Sequence, residues 1–484
     1  MPTKRGVAVF GARAVGGVLG VAVAVLAAGA VVVLPWPPVS SAPASMVVSP
    51  VPSEQKRVCP GPLLTLAEDS SKAQAATSVG PAAGVHGARA SAADAGGVSV
   101  DARDLSAKDN SAGHRDGAPQ LLRVPAQEGA RTPALVAGSQ SQTAKSETLG
   151  GLAVAACGEA SSDSWLVGGS TDIGRTSLVL LSNPTTVLAT VDLTVSGETG
   201  VVDAPGSTGI LVQPGQQRII SLAGLAPNLK SPVVHVQSHG GQVAANLEET
   251  FIQGIEPGGV ELLGPAAVPA LEQAISGVIV THKSTAGAND ADAVPDDMPS
   301  VRVMAPGDEP AAVQIGVASE NGAAKGTSLQ VDLQPGVATE VPLQGLAPGN
   351  FTVRLTADRP IVAAARTIAA GTAGKDFAWY VASTAIHGDF MVSVAPGPGP
   401  VLHLFNPEAM DAALTVTGDQ GRPATVNVPA GASAVLPLGS GARYVVTGGP
   451  AVVASVSYAG AGLLSSFALS PAGPLAAPIT VYAR

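Results

Sequence analysis

Short runs in which apolar and polar residues alternate recur through the C-terminal two thirds of the chain. They are Val191/Leu193/Val195 in TVDLTVSG, Val313/Ile315/Val317 in AVQIGVA and Leu414/Val416 in ALTVTG. A strand turns successive side chains to opposite faces, so period two with polar residues between predicts half-buried strands. Each run begins seven residues after a proline: Asn183-Pro184, Ala305-Pro306 and Asn406-Pro407. Downstream stand the turn pairs Pro214-Gly215, Pro335-Gly336 and Ala430-Gly431. Proline presets the first central angle of a turn and glycine tolerates positive φ. A further strand leads to LAGLAP, LQGLAP and LPLGSG, and each copy closes on a predicted hairpin, GGQVAANLEE, DRPIVAAART or GGPAVVASVSY.

Copies of roughly 90–120 residues with frequent turn signals match the expectation for β-sandwiches, whereas propeller blades are about half that length. The predicted fold class is therefore all-β, with tandem sandwich modules at 161–258, 259–374 and 375–484. PALEQAI (269–275) is the one soluble segment considered as a helix, and it is short.

The first 160 residues read differently. Residues 14–34, AVGGVLGVAVAVLAAGAVVVL, are 21 positions without a charge, preceded by Lys4, Arg5 and Arg13. As a helix they would span about 32 Å, enough for a hydrocarbon core. The expectation is a cytoplasmic stub at 1–13, a transmembrane anchor at 14–34 and an extracellular remainder. A cleaved signal peptide is the alternative, with Ala42-Pro43-Ala44 in the A-x-A form. Residues 35–57 are rich in Pro, Ser and Val and suit an extended linker. No aromatic residue occurs between Trp36 and Trp165, and 68–148 is dominated by Ala, Gly, Ser and scattered charge. Little bulky apolar surface is available there to offset ordering entropy, so 58–160 is expected to be a largely mobile, low-complexity stalk. The chain has two cysteines, Cys59 and Cys157. In an exported chain such a pair reads as one disulfide, here tying the flanks of that region.

Composition changes the picture only by exclusion. The formal net charge is −10, and outside residues 1–53 there are 23 basic against 36 acidic side chains. That balance argues against a nucleic-acid partner, which needs a positive surface.

Chemical signatures are sparse. His235 and His239 are spaced i, i+4, without the further ligands that zinc needs. His282, His387 and His403 are isolated. Asp290, Asp292, Asp296 and Asp297 gather on a proline-flanked stretch, without the spacing of an EF-hand. Ser53 and Lys56 form the one S-x-x-K, in the stalk, and no G-x-S-x-G occurs. No catalytic residue, metal site or cofactor is expected. Trp165 and Trp379 are open to two readings, a core filler or a ring that stacks on a sugar, and the core is favoured.

The stretches WLVGGST (165–171), LVLLSNP (178–184) and VAANLEE, and their counterparts WYVAST (379–384), LHLFNP (402–407) and VVASVSY, resemble a bacterial extracellular repeat. That repeat has the form W-Y-x-A-E-G-S-T … L-L-x-N-P … V-P-x-G … V-x-A-E-R, and the resemblance implies Ig-like sandwiches in surface proteins. The wider layout resembles an actinobacterial family, domain-of-unknown-function family 5719. The residues that carry this are the N-terminal apolar segment, CPGP (Cys59–Pro62), the AAC…W-x-V-G-G element from Ala155 to Gly169, and the Asn-Pro strands. It covers most of 58–470. The repeat positions it singles out are Trp165, Asn183, Pro184, Gly215, Pro306, Gly336, Trp379, Asn406, Pro407 and Gly431. They are turn and strand residues, and the family implies no catalytic ones. The middle copy departs by lacking the opening Trp and by having Ala305-Pro306 for Asn-Pro.

The expected function is a non-catalytic, membrane-anchored extracellular scaffold or binding protein of the bacterial cell envelope. Its expected partners are the membrane through 14–34 and cell-wall polymer or envelope-assembly proteins. The alternatives are an accessory subunit or enzyme of envelope polysaccharide assembly, and a carbohydrate-binding surface module.

Overall fold

The structure is a computed structural model that describes residues 45–48, 53–66, 76–90, 98–127, 132–146, 148–283, 297–322, 326–419, 421–470 and 479–482. Two compact units divide the chain. In the smaller, Ser45–Val48 pairs antiparallel with Ile479–Tyr482. The larger, 51–477, holds everything else described.

The larger unit is built from one strand plan used four times. In the second copy, Asp163–Val167, Val233–Gly240 and Ala189–Gly197 form one sheet in that order. Gln217–Ser221, Arg175–Ser182, Ala244–Gln253 and Glu256–Leu263 form the facing sheet. The fourth copy repeats this with Phe390–Ser393, Arg443–Thr447, Ala412–Gly418 and Ala424–Val428 against Ser433–Pro437, Val401–Phe405, Val453–Gly460 and Leu463–Ala468. In the third copy one strand of 23 residues, Gly349–Gly371, serves both sheets. Its first part pairs with Ala270–Val280 and Ala311–Ser319, its second with Ser300–Met304 and Gly374–Val381. PALEQAI thus lies largely on the strand Ala270–Val280.

The first copy lies where a mobile stalk was expected. Gln55–Cys59, Gln120–Val124 and Asp101–Asp104 form one sheet, and Ala83–Arg89, Leu135–Lys145 and Gly150–Ala156 the other. Ordering is possible without bulky side chains because a neighbouring module supplies the missing apolar surface: Leu63, Leu64, Ala153 and Ala155 pack with Leu178, Leu180, Val260 and Leu262. Cys59 and Cys157 are disulfide-bonded, joining the end of the opening strand to the residue after the closing one.

The expected fold class is corrected in a second respect. Among the described residues the one helix is Leu222–Leu225, and no helix is long and apolar enough to cross a membrane. The segment 14–34 lies outside the described residues.

The modules are not independent beads. Hydrogen bonds link each to the next. Gln217 donates to Pro60 O at 2.9 Å, Arg302 to Gly169 O at 2.8 Å, and Ser276 and Ser455 meet at 2.9 Å. Ser139 donates to Ser393 O at 2.8 Å, so the fourth module returns to the first and the ring closes. Each hairpin strand Leu135–Lys145, Ala244–Gln253 and Val453–Gly460, and the second part of Gly349–Gly371, is consequently buried on both faces over most of its length. Small side chains are what two close sheets accept, and this is the physical content of the motifs VAANLEE, IVAAART and VVASVSY. The four strands that follow, Gly150–Ala156, Glu256–Leu263, Gly374–Val381 and Leu463–Ala468, pack around a common axis in a barrel-like arrangement.

Candidate functional site

The axis is held by one carboxylate. Asp376 is fully buried, and its Oδ2 accepts the N–H of Leu152 at 2.8 Å and of Leu464 at 3.0 Å. Its Oδ1 accepts Val260 N–H at 3.2 Å and Phe377 N–H at 3.0 Å. These four amides occupy equivalent places on the four inner strands, and together they fill the lone-pair positions of an ionised carboxylate. Burial pushes the Asp376 pKa above the ordinary range, and the four N–H groups oppose that push. The equivalent position on two other strands is glycine for want of space. A Cβ on Gly151 would lie 2.5 Å from Asp376 Oδ1, and one on Gly259 would lie 3.0 Å from it. One layer along, buried Glu261 accepts Leu262 N–H at 2.9 Å, Trp379 N–H at 3.3 Å and the Ser465 hydroxyl at 2.8 Å. Burial, with the Asp376 charge adding to it, raises the Glu261 pKa well above its usual value.

Apart from the two tryptophans, the repeat positions read from the sequence sit away from this axis, in loops. Asn183 is fully buried, and its amide donates to Val187 O at 2.8 Å and Val212 O at 2.9 Å. Asn406 does the same to Met410 O at 2.8 Å and Val428 O at 3.0 Å. Gly215, Gly336 and Gly431 have φ of 69°, 67° and 66°. Their N–H groups donate to the carbonyls of Asn183, Ala305 and Asn406. The Asn-Pro, Ala-Pro and Pro-Gly or Ala-Gly signals are therefore two halves of one loop clasp. Pro184, Pro306 and Pro407 each follow the residue that accepts this bond.

Trp165 and Trp379 are not equivalent. Trp165 lies on the opening strand of the second module, Trp379 on the last strand of the third. The fourth module opens at Phe390–Ser393 instead, so the expected start of the last repeat at 375 falls inside a strand of its predecessor. Trp165 is 8% exposed and stacks on His235 with ring centroids 3.8 Å apart. Trp379 is 1% exposed, donates Nε1–H to Glu249 at 2.7 Å and carries the Arg302 guanidinium 4.4 Å above its ring.

Charged side chains fill the seams between modules. Arg302, 3% exposed, bonds Glu340 at 2.9 Å and the carbonyls of Gly169, Pro232 and Lys230. Burial pushes the Glu340 pKa up, but the Arg302 guanidinium, the Ser300 hydroxyl and the Arg366 charge together hold the carboxyl below its usual value. Glu248, in the apolar seam between the first two modules, accepts Leu64 N–H at 2.8 Å while its Oε2 has no hydrogen-bond partner among the described residues. Burial lifts its pKa to about 8.

The seam between the third and fourth modules holds an arrangement that sequence reading missed. Ser457 Oγ lies 2.6 Å from His403 Nε2, and His403 Nδ1 lies 2.5 Å from Glu320 Oε2. Burial pushes the Glu320 pKa up, while His403 and the hydrogen bonds from Gly277 N–H and the Thr352 hydroxyl together lower it below its usual value. A serine, an imidazole and a carboxylate in this order are the atoms of a nucleophilic relay. Here Ser457 and His403 have 0% exposure, and Ser457 lies on a strand paired on both sides. His403, isolated in the sequence, is held by residues 83 and 54 positions away.

The other expected features do not converge. His235 bonds Asp163 at 2.8 Å, while His239 lies 3.9 Å from Asp192. Among the described residues no three His, Cys, Asp or Glu are grouped to hold a metal ion. Of the acidic stretch, 284–296 lies outside the described residues.

Four two-sheet modules closed about a carboxylate-centred axis define an all-β ring protein with structural rather than evident catalytic signatures. The model of the family of unknown function DUF5719 matches residues 110–439, spanning parts of all four modules, and the chain belongs to that family. No curated protein matches it at a significant level.

Proposed function

We propose that this chain is a non-catalytic extracellular binding or scaffolding protein of a bacterial cell envelope. The observation that carries this reading is the closed ring: polar ties at all four seams keep the module loops in fixed relation, as a platform for a partner requires. The disulfide fits an oxidising compartment. The enzyme alternative has the Ser457–His403–Glu320 relay in its favour, but its hydroxyl is enclosed and no substrate carbonyl has room to approach it. The carbohydrate-module alternative loses its best platforms, because both tryptophans are buried and engaged.

Photo-crosslinking in intact cells, with the reactive group placed on exposed module loops, tests the proposal. Attachment of envelope polymer or of an envelope protein at defined positions is the expected result. Recovery of only free protein would sink it.

A further inference from the structure

In three of the four modules, the space between the two sheets is filled by a dense apolar core. The first module departs from this. Among the described residues its buried apolar side chains form small groups, Cys59, Leu122 and Cys157 with Val100 against them, and Val58, Leu105 and Leu121 with Ala244 of the second module. Beside them opens a cleft of about 260 Å³. Its lining includes Asp104, Asp116, the imidazole-bearing His86, Gln120 and the backbone of Gly61 and Gly84, and neither lysine nor arginine is among its lining residues.

The walls of this cleft are rigid. The disulfide anchors one side. Gln140, 5% exposed, accepts the N–H of Gly61 at 3.0 Å and donates to Gly61 O. Gly61 has φ of 96°, and a Cβ there would lie 2.9 Å from Pro119 N, so this corner has one conformation available. The strand bearing Val85 and His86 is braced from behind by the fourth module, through Ser393 to Val85 O at 2.8 Å and Arg443 to His86 O at 3.2 Å. Asp116 Oδ2 accepts the Ser78 hydroxyl at 2.8 Å, and its Oδ1 has no hydrogen-bond partner among the described residues. Asp104 accepts Gln120 Nε2 at 3.3 Å on Oδ1 and has His114 Nδ1 3.9 Å from Oδ2, with its side chain 53% exposed.

We infer that this cleft is a binding site for a small, hydroxyl-rich organic cation, of the class to which amino sugars belong. Its volume lies just below that of drug-sized ligand sites, which run from roughly 300 Å³ upward, and suits one sugar-sized group. Two carboxylates, with neither lysine nor arginine among the lining residues, select for positive charge. The Gln120 amide, the His86 ring and exposed backbone groups offer hydrogen bonds to hydroxyls. A preformed cleft also avoids the ordering cost that weakens binding to mobile loops. This inference rests on the binding-protein reading and gives it a ligand class.

The test uses the full chain and calorimetric titration with D-glucosamine, D-glucose and D-glucuronate. Glucosamine is expected to bind, glucose about tenfold more weakly, and glucuronate not at all. D104N and D116N should each weaken glucosamine about tenfold, with the thermal midpoint of D104N unchanged because its side chain is exposed. Absence of glucosamine binding, equal binding of glucose, or wild-type affinity in both variants would each overturn the inference. The outcomes are separable from those of the crosslinking experiment. Glucosamine binding without crosslinks leaves the cleft standing and the platform refuted, and crosslinks without glucosamine binding do the reverse.

Discussion

The carboxylate of Asp376 accepts the backbone N–H of Leu152 at 2.8 Å across 224 residues of chain. The first module and the third are thereby tied at the axis, and Val260 and Leu464 bring in the other two. Asp376→Asn places an amide NH₂ where two backbone donors point, leaving them without an acceptor. Each orphaned buried donor costs about 1–3 kcal/mol, so a loss of about 2–6 kcal/mol is expected for the two. Urea unfolding followed by far-ultraviolet dichroism reads it. A variant with the wild-type midpoint would show that the axis does not depend on this group. Gly151→Ala should act in the same direction, because its Cβ has no space and φ is 136°.

Glu248 predicts a dependence on pH from the alkaline side. Its folded-state value of about 8, against an ordinary 4.5, means that the folded chain keeps a proton the unfolded chain releases. The stability this contributes is whole below pH 4.5 and is lost as pH rises through 8. Each tenfold difference in proton affinity between the folded and unfolded chain corresponds to about 1.4 kcal/mol, so the loss amounts to several kcal/mol. Glu248→Gln should flatten that part of the profile, measured as denaturant midpoints across the range. A wild-type profile with no fall toward alkaline pH would refute the assignment.

The local chemistry is legible in the sequence and the closure is not. Asn183 and Gly215, or Asn406 and Gly431, lie within one module, and their spacing repeats, so their loop clasp leaves a visible pattern. Asp376, Glu261 and His403 each occur once and act on residues up to 311 positions distant along these networks, as with Val154 and Ser465, so no period marks them. The first module reads as a stalk because it lacks aromatic residues. Its trace is nonetheless present: GGLAVAAC at 150–157 matches GGVELLGP at 258–265 in placing two glycines within an inner strand. Trp379 misleads for a related reason. Its resemblance to Trp165 is one of residue type, while the pairing of Gly374–Val381 with Gly349–Gly371 places it at the end of a module.

Reducing the disulfide should loosen the first module before the rest. Cys59 and Cys157 are 98 residues apart, for which the chain-entropy model gives about 4–5 kcal/mol. Limited proteolysis after reduction is expected to cut first between these two positions. Initial cleavage within 161–470 instead would show that the bond does not hold this module.

Arg302 predicts the acid side of the profile. Glu340 is held below its usual value chiefly by the guanidinium, so its contribution is present above pH 4.5 and disappears as pH falls through the folded-state value. Arg302→Met strands Glu340 in a buried seam and should cost about 3–5 kcal/mol at neutral pH. Arg302→Lys should recover little, because an ammonium does not span Glu340 and three carbonyls as a planar fork does. Fluorescence of Trp379, which stacks under Arg302, reports the seam during unfolding. Full rescue by lysine would show that charge alone suffices there.

The Ser457–His403–Glu320 arrangement separates catalytic from structural roles most directly. Ser457 Oγ has its imidazole at 2.6 Å, yet residue exposure is 0% and the strand is paired on both sides. A fluorophosphonate probe should therefore leave the native chain unlabelled and react no faster than with Ser457→Ala. His403→Gln should be the costlier change, because it removes the ring that helps hold the buried Glu320 carboxyl below its usual pKa. Thermal midpoints are expected to fall modestly for Ser457→Ala and by several degrees more for His403→Gln. Stoichiometric labelling of Ser457 in the folded protein, abolished by His403→Gln, would turn the seam into an active site and overturn the non-catalytic reading.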